Sequence, residues 1–162
     1  MSFYAEAGHR FDVGAGSTIT PFRVLNFARG ELQGTTESDP FGTGASLRIH
    51  KSRADSFATV LGGRFEGVLG GFTGGTFNPF LSVAWEHEFD PTRQKVKMSF
   101  AEGPSGADFK VISANTPRDS VLLGVGGNWI VDNSFDLGLG YDGRFNSKYT
   151  SHSVTGRVGY KF

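Results

Sequence analysis

The side chains best suited to acid–base or metal chemistry are a scattered set of histidines and one pair of glutamates. The histidines are His9, His50, His87 and His152. None of them has a second histidine at the i, i+2 or i, i+4 spacing of a metal-binding pair. Glu86 and Glu88 share one side of an extended strand and resemble a catalytic carboxylate pair. Because buried charges need partners, we interpret both as ion-pair partners of Arg64 or Arg144 and expect no metal site.

Motifs for nucleophilic or nucleotide chemistry are equally weak. The chain has no cysteine, and Gly103-Pro104-Ser105-Gly106 lacks the Gly-x-Ser-x-Gly spacing of a serine nucleophile. The run Gly124-Val125-Gly126-Gly127 lies in a strand pattern with no helix after it, unlike a phosphate-binding loop. The formal net charge is +0, and no basic groove accompanies the aromatic residues, which argues against nucleic acid as a partner. Since the polar groups are spread along strands, we expect no catalysis, no cofactor and no small-molecule substrate.

The elements that carry these residues are strands, because apolar and polar residues alternate with a period of two. Residues 76–89 alternate most clearly, and residues 153–162 end on the aromatic Phe162. The predicted long strands are 3–13, 18–29, 56–69, 76–89, 121–131, 135–145 and 153–162. Short candidate strands lie at Leu47–His50, Lys95–Ala101 and Asp108–Ser113, inside two polar stretches. The pattern predicts an all-β antiparallel meander with no helix longer than two turns.

The pattern is also typical of a membrane barrel. Mean hydropathy is −0.23, and no apolar stretch is long enough for a membrane-spanning helix. Barrel strands are half polar, so their average hydropathy is low. Predicted turns near 14–17, 70–75 and 132–134 are short, whereas the connections near 30–54 and 90–118 are long. Short turns at one end and long loops at the other are how outer-membrane barrels are built.

The alternation assigns each side chain to one of two faces. The outward set is Phe77, Leu81, Val83, Trp85, Leu137, Leu139, Tyr141, Val158 and Tyr160. The charged set, predicted to face the lumen, is Arg64, Glu66, Glu86, Glu88, Asp142, Arg144 and Arg157. A soluble barrel with its apolar face inside fits the same alternation. Aromatic residues near strand ends, the terminal Phe162, and opposite charges beside glycines favour lipid on the outside.

Five segments resemble the autotransporter β-domain, the C-terminal translocator of type V secretion proteins. They are Thr18–Phe22, Asp55–Arg64, Thr76–Phe89, Arg118–Gly126 and Leu139–Phe145. The resemblance implies a twelve-stranded barrel in the bacterial outer membrane, which carries its own N-terminal passenger to the cell surface. It also implies outer-membrane lipid and the barrel-assembly machinery as partners. Tyr160 and Phe162 would then form the C-terminal assembly signal.

The chain departs from that family in length. Twelve strands with loops need roughly 250–300 residues at about ten residues per strand, whereas this chain has 162. We therefore predict that residues 1–162 form an N-terminally truncated domain, the last seven strands of twelve. The start, Met1–Glu6, is neither basic nor followed by an apolar segment, and predicts no signal peptide.

Two alternatives stay open at this point. If part of 90–118 completes a strand, eight strands can close a small barrel. Such a self-contained outer-membrane barrel would act as an adhesin or binding protein through its external loops.

Overall fold

The computed structural model describes residues 1–38, 46–72, 74–90, 95–101, 108–112, 117–131 and 134–160. These residues form thirteen β-strands. The strands are β1 (Ser2–Gly8), β2 (Phe11–Gly14), β3 (Ser17–Leu32), β4 (Thr35–Thr36), β5 (Leu47–Ile49), β6 (Ser52–Glu66), β7 (Leu69–Phe72), β8 (Gly75–Glu88), β9 (Lys95–Phe100), β10 (Asp108–Ile112), β11 (Asp119–Val131), β12 (Phe135–Asn146) and β13 (Thr150–Tyr160). Within the described ranges, no helix is long and apolar enough to cross a membrane.

The long strands form one antiparallel sheet, here called the main sheet. Its strand order is β1-β3-β6-β8-β11-β12-β13, with β2 also paired to β3 and β7 to β8. Every pairing is antiparallel, as in the ladder from Val131↔Phe135 to Ser120↔Asn146 between β11 and β12. The prediction of an all-β antiparallel meander is confirmed.

Tight turns join the strands at one end of the main sheet. Between β2 and β3, Gly14, Ala15 and Gly16 have φ angles of 90°, 53° and 72°. Two glycines reach this left-handed region without steric cost, and Asp12 fixes the turn by accepting a hydrogen bond of 2.8 Å from the Gly14 amide. Gly74, with φ 77°, serves the β7–β8 turn in the same way. The turn predicted at Asp132-Asn133 lies outside the described residues.

The two long connections at the opposite end form a second sheet, here called the small sheet. Its order is β10-β9-β5-β4. The short strands predicted inside 30–54 and 90–118 are confirmed as β5, β9 and β10, although Ser113 lies outside the described residues. The pairing of β5 with β9, for example Ile49↔Met98, joins the two connections and was not predicted.

The bounds predicted for the polar connection, 30 and 54, are wrong at both ends. Strands β3 and β6 run three residues into it from each side and remain paired through Leu32↔Ser52. Cross-strand ion pairs replace apolar pairs there, with Arg29 Nε 2.8 Å from Asp55 Oδ1 and Arg53 Nη2 2.6 Å from Glu31 Oε1. Opposite charges on facing residues stabilise a strand pair without apolar alternation.

The main sheet is curled. Tyr4 on the first strand and Ser153 on the last strand line one cavity of about 470 Å³. Strands β1 and β13 stay at the two ends of the strand order and are not paired with each other within the described residues. Residues 95–100 and 108–112 belong to the small sheet, so they add no eighth long strand to the main sheet. Among the described residues, the main sheet therefore lacks the eighth long strand of the closed alternative.

Candidate functional site

The curled sheet has two chemically different faces. Alternation along the strands, together with the cross-strand register, places the predicted charged residues on the face that lines the cavity, here called the concave face. These residues are Arg64, Glu66, Glu86, Glu88, Asp142, Arg144 and Arg157. The small core lies on the same face, where Val24, Ala58 and Ala84 are 8%, 7% and 6% exposed.

The opposite face, here called the convex face, is apolar and uncovered. It carries the outward set predicted from the alternation, and Leu139 and Val158 on it are 66% and 69% exposed. No described side chain is less than 2% exposed, so the apolar residues do not form a dry core. A continuous apolar surface of this extent is unfavourable in water and marks contact with lipid or protein.

Aromatic side chains cluster on the convex face near the small sheet. Phe57 and Phe89 stack with ring centroids 5.2 Å apart. The indole of Trp85 donates a hydrogen bond of 3.0 Å to Asp119, and Nδ1 of His87 lies 2.8 Å from the same carboxylate. Rings with an apolar body and a polar tip are typical of the interfacial girdles of membrane barrels. The interpretation of His87 as an interface residue fits this position.

An ion pair between Glu86 and Arg144 crosses the concave face from β8 to β12. Its two hydrogen bonds are 2.7 and 3.1 Å long, from Nη1 and Nη2 to the two carboxylate oxygens. The side chains are 18% and 40% exposed. The pairing predicted for Glu86 is therefore present, and its bidentate geometry holds together two strands that are not adjacent.

The other charged residues of the concave face have different partners. Nη2 of Arg10 lies 3.2 Å from Glu66, and Nη2 of Arg157 lies 3.0 Å from Asp136. Arg157 and Asp136 lie on the neighbouring strands β13 and β12. Arg10 lies between β1 and β2, and Glu66 is the last residue of β6. Four of the seven predicted residues, Glu66, Glu86, Arg144 and Arg157, are thus ion-paired with an opposite charge.

Glycines make room for these side chains. A Cβ atom at Gly124 would lie 3.2 Å from Oδ1 of Asp142, and one at Gly62 would lie 2.7 Å from the ring of Phe22. The guanidinium of Arg64 lies 6.0 Å from the centroid of that ring. Any residue larger than glycine at either position would displace its neighbour.

Comparison with known proteins agrees with this arrangement. Residues 1–142 match the family model described as "Autotransporter beta-domain". The chain belongs to this family. It is also 24% identical, over 155 residues, to Outer membrane protein B of Rickettsia typhi (strain ATCC VR-144 / Wilmington). That match covers 96% of this chain and 9% of the relative, so the chain spans less than a tenth of the relative's length.

Family membership assigns this autotransporter β-domain to the bacterial outer membrane, as a translocator segment. An exposed apolar convex face is what a sheet in contact with lipid requires. The family is one of translocators and not of enzymes.

Among the described residues Glu88 pairs with no arginine, and the pairing predicted with Arg64 or Arg144 is wrong for this residue. Its carboxylate accepts hydrogen bonds from Ser56 Oγ at 2.6 Å, the Phe57 amide at 2.9 Å and the Asp90 amide at 3.2 Å. Glu88 is 8% exposed, at the end of β8 where free backbone amides are available. Backbone donors therefore satisfy this buried charge in place of a cation.

Replacing Glu88 by alanine is expected to lower the free energy of unfolding by about 1–3 kcal/mol, because several buried donors lose their acceptor. Replacement by glutamine keeps one acceptor oxygen and should cost less. Urea titration of both variants measures the difference, and hydrogen exchange of the Phe57 and Asp90 amides locates it. Equal stability of the alanine variant and the parent would show that these bonds contribute nothing.

An apolar patch on the concave face escaped sequence reasoning, which described this face as polar. Phe22, Val24, Val60 and Leu122 line the cavity together with the small Ala84. The signal was present in residues 18–29, where Phe22 and Val24 fall among the polar positions of the alternation. The cavity wall is therefore charged in part and apolar in part.

The small sheet brings together a nucleophile, a base and a carboxylate, although the sequence analysis described the polar groups as spread along strands. Ser99 Oγ lies 3.4 Å from Nε2 of His50, and Asp108 Oδ1 lies 3.8 Å from the same nitrogen. In a catalytic triad the serine and the carboxylate contact opposite ring nitrogens. Here both contact one nitrogen, so the carboxylate cannot orient the ring for proton transfer from the serine.

Proposed function

We propose that this β-domain supplies part of the wall of an outer-membrane pore through which a passenger polypeptide reaches the cell surface and is anchored there. One observation carries the proposal: the sheet is apolar on its convex face and charged on its curled concave face. That distribution is the inverse of a soluble domain. It suits a wall with lipid on one side and a water-filled passage on the other.

In this proposal, residues 1–162 are the C-terminal part of a larger barrel domain. Backbone groups at the free edges of β1 and β13 need partners, since each unpaired amide in lipid costs several kcal/mol. Further strands from the same protein, placed between β1 and β13, would pair with both edges. The curled shape already brings these edges to the same cavity.

The seven charged residues of the concave face would then line the lumen, with ion pairs such as Glu86–Arg144 keeping it rigid. The apolar patch around Phe22 and Val60 would contact apolar side chains of the passing chain. We infer no catalytic role, because the charged groups are spread along the wall and most of them are held in ion pairs or hydrogen bonds.

The orientation follows from the same proposal. The end with tight turns faces the periplasm, and the small sheet lies outside the cell. Tyr160, which is 69% exposed at the end of β13, would form part of the C-terminal assembly signal. Phe162 lies outside the described residues, and we propose it as the second part of that signal. The barrel-assembly machinery is the partner that would bind it.

Surface display tests this function. Joined to its upstream strands and a passenger, the chain is expected to expose the passenger to protease added to intact cells. Deleting Phe162 should reduce the amount assembled in the outer membrane, whereas Phe100→Ala, which removes an aromatic ring from the small sheet, should not.

Two results would contradict the proposal. One is a passenger that stays inside the cell although the barrel assembles. The other is hydrolytic activity of the purified chain that is lost in Ser99→Ala, because the wall would then carry a catalytic site.

A further inference from the structure

One face of the small sheet is basic. Register places the residues of this face side by side across three strands, with Lys97 opposite Lys110, and Ser99 opposite both Arg48 and Asp108. The backbone amide of His50 donates to the carbonyl of Lys97, which sets the histidine beside the lysine. The opposite face of the small sheet carries the apolar residues, among them Ile49, Met98, Phe100, Phe109 and Val111.

The charges of the basic face are not balanced within the sheet. Lys97 and Lys110 are directly opposed, and like charges in such a pair destabilise it. Asp108 pairs with Lys97, and this hydrogen bond holds the pKa of the Asp108 carboxyl below its usual value. Arg48 and Lys110 are exposed and form no ion pair with any residue in the described ranges. The face therefore has cations to spare for an external anion.

The position of this face decides which anion it can reach. Five strand residues, Ser52–Ser56, separate Phe57 from the start of β6, and His50 precedes that start. At about 3.3 Å per residue and a tilt of about 40°, they place the start of β6 about 13 Å beyond the aromatic residues. The headgroup region is only about 5–8 Å thick on each side. The basic face thus extends beyond the lipid phosphates.

We propose that this face binds a soluble linear polyanion outside the cell, of the class of sulfated polysaccharides. The assignment of this face to the outside rests on the orientation given under the proposed function. Cations on adjacent strands stand about 4.8 Å apart, so successive sulfate groups of one extended chain can contact Lys110 and Lys97 in turn, and the His50 ring lies next along the same face. Arg48, two residues before His50 and on the same face, extends the contact.

The test is binding of a heparin-derived oligosaccharide to the full chain folded in detergent micelles, followed by fluorescence anisotropy. Binding should weaken markedly between about 0.02 M and about 0.15 M salt, because the contacts are exposed ion pairs. Lys110→Glu should weaken binding about fivefold or more at the lower salt. The matched control is Lys148→Glu, which makes the same charge change in the exposed connection before β13 and should leave affinity within about twofold.

Each outcome is informative. Three results would overturn the proposal. They are an equal loss of affinity in Lys110→Glu and Lys148→Glu, equal binding of neutral dextran, and preferential binding to vesicles that contain lipopolysaccharide. Circular dichroism of each variant confirms that the sheet is folded. If the display assay fails while Lys110-dependent binding persists, the proposed function is wrong and the polyanion site stands. If display succeeds and binding is absent, only the polyanion site is wrong.

Discussion

Arginine in place of Leu139 is expected to destabilise the membrane-inserted sheet by about 3 kcal/mol, the cost of a cation on the lipid face near the bilayer midplane. Leu139 lies midway along β12, is 66% exposed and belongs to the convex face by the alternation along the strand. No acid is placed to pair with an arginine there among the described convex-face neighbours Val125, Gly127 and Gly156. The ratio of folded to unfolded protein should fall by about two orders of magnitude.

The matched control is Thr155→Arg, one strand away and on the concave face, where Thr155 is the cross-strand partner of Gly140. Thr155 shares a cavity with Asp142, which can pair with a new cation. Urea titration of both variants in phospholipid vesicles measures the difference. Equal losses at the two positions would mean that the convex face does not contact lipid, and would remove the basis of the proposed pore.

Breaking the ion pair between Glu86 and Arg144 gives the second large effect. Either single alanine substitution is expected to lower the free energy of unfolding by about 2 kcal/mol. This lies between the cost of breaking an exposed ion pair and that of breaking a fully buried one. The reason is partial burial: the Glu86 side chain is 18% exposed, so a lone carboxylate or guanidinium is left poorly solvated. The double alanine variant should cost less than the two single losses combined.

A double-mutant cycle on the vesicle-inserted chain measures this coupling. The exposed pair of Arg53 with Glu31, with side chains 55% and 39% exposed, provides the comparison and should show much weaker coupling. In the display assay, the Glu86 and Arg144 variants should lower barrel stability or passenger export together. Unchanged stability with abolished export would assign the pair a role in transport alone.

The long strands were predictable because lipid and lumen impose a period of two on their sequence. Residues 76–89 were predicted within one residue of β8, Gly75–Glu88, because each alternate side chain there is large and apolar. Prediction failed where ion pairs took over, as for Arg29 and Asp55 in the extended ends of β3 and β6. A charged segment of this kind can be recognised as a strand only when the residues that face it on the neighbouring strand are known.

The sequence by itself determined the strand content, the two faces and the family. These follow from the local alternation of residues and from motifs that can be recognised without knowledge of tertiary contacts. Only the tertiary structure decided which groups meet: Glu86 contacts Arg144, whereas Glu88 binds backbone amides. It also decided that two separate connections pair through Ile49 and Met98 into one amphipathic sheet. The physical reason is that an ion pair or a strand pair depends on register between distant segments, which no periodicity within a single segment encodes.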